Sequence, residues 1–546
     1  MCREASGTWE TRWIPEQRRD PKRSAAWHTA NEPTPAETQT QVGRSQNPRH
    51  AGSTTAGEGE FDQKKEPPDI HRESDPPIDT RRRSRRSQGK GADRNTEQVK
   101  ETWTGEEGPE YTMPTSLLAI AKKAQEQKDL RFFNLYRLID ESFLLECWRD
   151  IRKNAASGVD QVSAQEYGEN LIDNIRNLVE RLKSKTYRAR LVRRHWIPKP
   201  DGKQRPLGIP VVEDKLLQLA VTRILEAIYE QDFLRCSYGY RPNKGALDAV
   251  DKLTIKLQFG KYHFVVEADI QGFFDNLDQD ELVAMLSRRI GDQSLLRLIQ
   301  KWLKAGVLDT DGKVNHPLTG TPQGGIVSPI LANVYLHYVL DVWFQEVVKW
   351  HTKGEACLIR YADDFVCAFE HQEEAQHFFG ALEHRLGKFG LQLAAAKSRV
   401  IPFSRNGEPA SSRFDFLGFE FTWGKDRAGK PHVKRRTSRK KLRHSLANFT
   451  EWCKQSRHVP LRKLFPLLKL KLRGYYNYYG VAGNSEGIRE FFNEAMGTLW
   501  KWLNRRSQRR SFTRQGFDDL LDHFQAPRPH VGPRPRVPLR QPAFDS

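Results

Sequence analysis

Cysteine is sparse and poorly spaced for ligation. The six thiols (Cys2, Cys147, Cys236, Cys357, Cys367 and Cys453) form no Cys-x-x-Cys pair. That spacing excludes a zinc ribbon and a disulfide frame and reads as reduced thiols in a cytoplasmic protein. No run approaches 18 uninterrupted apolar residues, so no membrane-spanning helix is expected. The start Met1-Cys2-Arg3-Glu4 lacks the apolar core of a signal peptide, and the acids ahead of residue 110 argue against a transit peptide. Residues 1–110 have few aliphatic side chains and much Gly, Pro, Ser, Thr, Arg and Glu. Such a segment buries too little apolar surface to offset its ordering entropy, and it is expected to be disordered.

Acid is what the last quarter lacks. Residues 424–546 hold 28 Lys and Arg against 9 Asp and Glu, whereas residues 111–423 hold 42 against 40 and residues 1–110 hold 19 against 20. Almost the whole surplus of +20 therefore sits at one end. That asymmetry points to a region dedicated to a polyanion. A chain of 546 residues allows several domains. We divide it into the 1–110 extension, helices and a basic hairpin over 111–250, a central region over 251–423, a helical region over 424–527 and a Pro/Arg-rich tail over 528–546.

From residue 115 the composition turns globular. Thr115 and Ser116 precede Leu117, Leu118 and Ile120 as at a helix start, and helical spacing recurs from Phe132 to Ile151 and from Leu171 to Leu182. Residues 196–207 read as strand, Pro/Asp/Gly turn and strand, with cations on both arms. Val265-Val266 mark a strand ending near Asp269. A long helix opens at Ser328-Pro329, with Ser as cap and Pro first in the helix. Residues 357–369 read as a hairpin: Ala362-Asp363-Asp364 form the bend, and Phe365, Cys367 and Phe369 alternate outward. Residues 414–419 read as a single short strand. Beyond 424 the pattern is helical and basic. Ile488, Phe492, Ala495, Leu499 and Trp502 form one apolar face, with Lys501, Arg505, Arg506, Arg509 and Arg510 at its end.

Three aspartates carry the chemistry. Asp269 ends one strand, and Asp363-Asp364 sit at a later hairpin bend. Carboxylates crowded on apolar strands repel one another and lose hydration, so each drifts toward neutrality unless a cation compensates. Hard divalent ions do this, Mg²⁺ above all, because it shares its shell with substrate phosphates.

Tyr361-Ala362-Asp363-Asp364 with Asp269 resembles the active-site signature of reverse transcriptases. Other blocks follow in that family's order: Arg205-Pro206-Leu207-Gly208-Ile209-Pro210, Thr321 through Pro329, Gly390-Leu391 through Lys397, and Phe416-Leu417-Gly418-Phe419. Tyr238-Gly239-Tyr240-Arg241-Pro242 and Arg473-Gly474-Tyr475-Tyr476-Asn477-Tyr478-Tyr479 are similar to the group II intron-encoded kind. The resemblance implies an α+β right-hand polymerase: fingers, a palm with an antiparallel sheet, and a helical thumb with a maturase domain. It implies a nucleotidyltransferase using two Mg²⁺ ions (Mn²⁺ as substitute) on Asp269 and Asp363, with Asp364 assisting.

Lys199 and Arg205 would then grip the triphosphate, Phe274 would exclude a ribose 2′-hydroxyl, and Gln323 would lie near the templating base. Lys397 would serve the leaving pyrophosphate, although Ala394-Ala395-Ala396 replaces the family's usual His-Pro-Glu-type run. Leu417 and Gly418 would grip the primer. Lys469, Lys471, Arg473, Arg505, Arg506, Arg509 and Arg510 would bind RNA, the first three beside tyrosines that could stack on bases. The implied partners are the parent group II intron RNA, an RNA template with a DNA primer, dNTPs and target DNA. No Cys pair or His-Asn-His arrangement follows Cys453, so the endonuclease of many relatives is not expected in these residues. Two other readings use the same blocks: a splicing scaffold with an idle polymerase, and an enzyme recruited to a retron or immunity system. The intact aspartates disfavour the first and the tyrosine block disfavours the second.

Overall fold

The computed structural model describes residues 115–198, 204–316, 319–321, 324–405, 412–426, 428–506 and 511–532. The 1–110 extension and most of the Pro/Arg tail lie outside the described residues. The fold is α+β.

Its centre is a four-stranded antiparallel sheet made of β3 (Phe264–Ala268), β6 (Ala356–Tyr361), β7 (Asp364–Phe369) and β8 (Arg399–Pro402), in the order β6-β7-β3-β8. Alternate side chains leave a strand on opposite faces, and here both faces are buried. Phe365, Cys367 and Phe369 enter one apolar core while Val366 and Ala368 enter another. The expectation that Phe365, Cys367 and Phe369 alternate outward is corrected accordingly: all three are fully buried. The helix Val212–Tyr229, buried along nearly all of its length, and the helix Gln372–Gly387 belong to the first core.

A second sheet, ordered β2-β1-β4-β5, contains β1 (Val192–Pro198) and β2 (Gln204–Ile209) as an antiparallel pair, with β4 (Val307–Leu308) and β5 (Val314–Asn315) beside them. The third sheet holds β9 (Arg413–Phe416), β10 (Phe419–Lys425) and β11 (Pro431–Thr437). Two expectations are revised here. The single strand read over 414–419 is a hairpin that turns at Leu417-Gly418. The region read as helical from 424 begins with β11, and its first helix starts at Arg439. Lys434, Arg435 and Arg436 in β11 hid the alternation that places Val433 in the core.

Ser438 caps the helix Arg439–Ser456. With Leu461–Tyr479, Ser485–Leu503 and Arg514–His523 it encloses a separate apolar core. The helix at Ser328-Pro329 is capped by Val327, one residue earlier than expected, and its α-helical turns give way to π-helical ones over His337–Asp341 and Phe344–Val348. The predicted 132–151 helix is split. Asp140 accepts a hydrogen bond from the Phe143 N–H and starts a new helix, Glu141–Asp150. The described cysteines are all free thiols. No described helix is long and apolar enough to cross a membrane.

Candidate active site

Two strand ends bring the aspartates together. β3 and β7 run antiparallel with Ala268 opposite Phe365, and one further step of that register sets Asp269 opposite Asp364. β6 and β7 are joined by Ala362-Asp363, closed by the pair Tyr361–Asp364. Ala362 adopts φ +58°, the left-handed conformation that tight two-residue hairpins use. Asp363 is thus thrown off the end of the sheet beside its two acidic neighbours.

The electrostatics follow from this crowding. Burial pushes the Asp363 carboxyl above the ordinary range and Asp269 adds to it, while Arg205 and Arg360 pull it down. Asp364 is pushed up to about 7 by the protein around it, then by Asp363, Asp269 and Glu267, with the Leu417 backbone holding it down. Its side chain is nonetheless exposed to solvent, and water there offsets part of the crowding. Two carboxyls raised beside a third acid mark a site short of positive charge.

Asp269 has a local cation in Lys397, which ion-pairs with its carboxylate. Its backbone N–H donates to the Ser398 hydroxyl (3.2 Å) and its carbonyl accepts from the Ala394 N–H (2.8 Å). Among the described residues no three His, Cys, Asp or Glu side chains are gathered tightly enough to hold an ion as they stand, with Lys397 occupying the Asp269 carboxylate. The donor set nevertheless fits hard divalent ions: it is all oxygen and electrostatically coupled.

Arg205 lies on β2 opposite Ile197 and acts electrostatically on both Asp363 and Tyr240. Phe274 is 8% exposed, in the short helix Phe273–Asn276, with its ring 5.3 Å from that of Phe273. Most of its surface is therefore spent on packing. Gly324 has φ +115° and lies against the Gly208 carbonyl, where a side chain would collide. Lys199 and Gln323 fall outside the described residues. Leu417 and Gly418 have φ +49° and +83° and form the turn closed by Phe416–Phe419. The Tyr478 hydroxyl donates to the Leu417 carbonyl (2.9 Å) and the Ser438 N–H donates to the Gly418 carbonyl (2.9 Å).

Of the cations expected to meet RNA, Lys471, Arg473 and Arg505 are exposed and Lys469 is half-buried. Arg506 is half-buried and donates to the Val459 carbonyl (2.8 Å). Arg509 and Arg510 lie outside the described residues. The tyrosines beside them pack inward in part: Tyr475 and Tyr476 are buried, and Tyr478 and Tyr479 are half-buried. Tyr475 stacks on Phe491 at 3.6 Å, Tyr476 is 2% exposed, and Tyr478 supports the Leu417 turn. Their spacing on one helix also suits a core, and the packing of Leu461–Tyr479 against Ser485–Leu503 selects that use.

Two residues at the site carry no role in the sequence reading. Tyr240, at φ +56° and with its ring half-exposed, has its hydroxyl raised by burial and then by Asp363. Arg360 is fully buried beneath the bend. A signal for Arg360 was available, because a lone cation inside the apolar strand Cys357-Leu358-Ile359-Arg360-Tyr361 demands a buried partner.

Residues 197–421 match the reverse transcriptase (RNA-dependent DNA polymerase) family. The chain is 40% identical over 223 residues to the group II intron-encoded protein LtrA of Lactococcus lactis subsp. cremoris, covering 40% of this chain and 36% of that protein. It therefore spans about a third of that relative's length. It is 32% identical over 370 residues to protein YkfC of Escherichia coli K12, covering 61% of this chain and 94% of that protein. Nuclear intron maturase 4 of Arabidopsis thaliana is 24% identical over 140 residues, 25% of this chain and 17% of that protein. The matched segment begins in β1 and ends in β10, so it contains all three aspartates and the Leu417 turn, and this chain belongs to the group II intron-encoded reverse transcriptase and maturase family.

Proposed function

We propose that the protein is an RNA-directed DNA polymerase that also binds its parent group II intron RNA and assists its splicing and mobility. The observation that carries this reading is the meeting of Asp269, Asp363 and Asp364 at one sheet end, where the Asp363 and Asp364 carboxyls are both raised, with Asp269 among the causes. A scaffold gains nothing from acids that destabilise one another, whereas a phosphoryl-transfer site requires them. In this layout the helices before residue 250 and the β1–β2 hairpin are the fingers and the central sheet is the palm. The basic region after 424 is the thumb and maturase domain, and residues 1–110 and 528–546 are accessory.

In the reaction, the primer 3′-hydroxyl attacks the α-phosphorus of a dNTP. A P–O bond forms, the bond to pyrophosphate breaks, and the hydroxyl proton leaves to solvent. Asp269 and Asp363, assisted by Asp364, would hold two divalent ions, Mg²⁺ for preference, which supply charge neutralisation at the attacking and departing oxygens. Arg205 offers the triphosphate a two-pronged donor from the hairpin arm, with Lys199 as a second cation. Lys397, which ion-pairs with Asp269, would supply a cation or a proton to the departing pyrophosphate. Phe274 would meet the sugar of the incoming nucleotide and exclude a ribose 2′-hydroxyl by bulk. Gln323, next to the Gly324 that packs closely on the Gly208 carbonyl, would serve the templating base. The Leu417-Gly418 turn, adjoining Asp364, supports the primer end. The surplus of cations beyond 424 and the intron-related names of the relatives support RNA as the second partner.

The test is the double variant Asp363→Asn/Asp364→Asn, assayed for cDNA synthesis and for intron splicing. Synthesis is expected to fall by several orders of magnitude while splicing, whose chemistry is the RNA's own, survives. Primer extension at the wild-type rate in the double variant would falsify the assignment.

A further inference from the structure

Arg360 heads the described side chains in volume among those fully buried. It precedes Asp363 by three positions on β6, and all five of its N–H donors are used. Nε and one Nη2 hydrogen fork onto the two oxygens of Asp341 (2.7 and 2.6 Å), itself fully buried. Nη1 reaches Asn333 Oδ1 (3.0 Å) and the Ala362 carbonyl (2.9 Å), and Nη2 also reaches the Ser237 hydroxyl (2.8 Å). Asp341 closes the π-helical stretch His337–Asp341, an irregularity that often marks functional sites.

The second side of the bend is held as well. Asn333 donates to the Gly239 carbonyl (2.7 Å), and Gly239 lies so close to Ala362 that any side chain there would run into its backbone. Ala362 keeps its left-handed φ of +58° at about 1 kcal/mol. Such strain persists only where the surroundings over-determine it.

Stability alone does not explain this network. A buried ion pair can usually be exchanged for apolar residues of similar volume with little loss, or even some gain, of stability. An apolar pair, however, cannot give the Ala362 carbonyl a hydrogen bond or stand a fixed positive charge behind the acidic cluster. We propose that Arg360, held by Asp341 and Asn333, is a positioning residue of the polymerase centre: it locks Ala362 in its left-handed conformation and so fixes how Asp363 presents its carboxylate to the divalent ions. The inference rests on the polymerase reading above.

The test compares wild type, Arg360→Met, Arg360→Met/Asp341→Leu and Arg360→Lys. The readouts are thermal unfolding, kcat for primer extension, and the midpoint of a Mn²⁺ titration followed by electron paramagnetic resonance with the metal alone. Arg360→Met strands a buried Asp341 and is expected to lower Tm sharply. The double variant is expected to recover Tm to near the wild-type value, yet to show kcat about 10–100-fold lower and the Mn²⁺ midpoint about tenfold higher, the range typical when a group supporting a metal ligand is removed. Arg360→Lys retains a cation for Asp341, so it folds, but it lacks the fork that reaches Asp341 and Ala362 together, and both functional readouts shift the same way. Wild-type kcat and Mn²⁺ midpoint in either folded variant overturn the proposal. A wild-type protein that extends no primer sinks the polymerase reading instead, while the Mn²⁺ midpoints still decide the role of Arg360.

Discussion

His337 shows at the scale of one residue how the support beneath the acidic site responds to pH. Its ring is 5% exposed and its Nδ1 is buried without a hydrogen-bond partner. Burial lowers its pKa to about 4; Asp341 opposes the shift, and Arg360, Arg241 and Arg288 reinforce it. Unfolded, the ring titrates near 6.5. Between these values the unfolded chain binds the extra proton, so the group's contribution to stability is complete above about 6.5 and is lost as pH falls toward 4, to a total of ~3 kcal/mol. We expect Tm to drop more steeply between pH 7 and 4.5 in wild type than in His337→Leu; parallel profiles would exclude His337 as the source. Gly239→Ala, which drives a methyl into the Ala362 backbone, is expected to cost stability on the order of 2 kcal/mol, measurable by denaturant unfolding.

Among elements, the β9–β10 turn has its geometry set from outside its own strands. Both central residues are left-handed, and one of them is Leu417, for which that conformation is unfavourable. The turn is held from the helix Leu461–Tyr479, through the Tyr478 hydroxyl on the Leu417 carbonyl. Tyr478→Phe removes one hydrogen bond worth about 1 kcal/mol. Primer extension by that variant is expected to yield shorter products at unchanged KM for dNTP, read on a denaturing gel. Equal product lengths would deny the turn its role at the primer end. Residue patterning displayed this turn only as a Gly inside an aromatic strand, because Leu417 argues for continuing β structure; the family resemblance marked it as the primer-grip turn, and the tyrosine from a distant helix holds it.

For the whole molecule, charge divides the labour. The region up to 423 is nearly neutral apart from its acidic centre, and the surplus begins in the β10–β11 hairpin and continues through the helices of the third core. With Tyr475 and Tyr476 buried and Tyr478 and Tyr479 half-buried, RNA affinity there should come from phosphate pairing more than from base stacking. Lys471→Ala/Arg473→Ala/Arg505→Ala, all exposed positions, is expected to reduce the salt slope of intron RNA binding by about 1 for each phosphate no longer neutralised, with Tm unchanged. An unaltered slope and affinity would move the RNA surface elsewhere.

The sequence alone determined the parts written locally: the acids on strand ends, the Asp-Asp hairpin and the basic final quarter, with the α+β class following from the family resemblance of its motifs. Motif, alternation and turn chemistry are short-range signals and survive without a fold. Tertiary structure decided how partners distant in the chain share space. It buried both faces of β7, turned Tyr475 and Tyr476 inward, set Lys397 on Asp269, and placed Asp341, Asn333 and Ser237 around Arg360. Each of these depends on which surfaces exclude water together, and a polar group's partner inside a core is fixed by packing that no local pattern encodes.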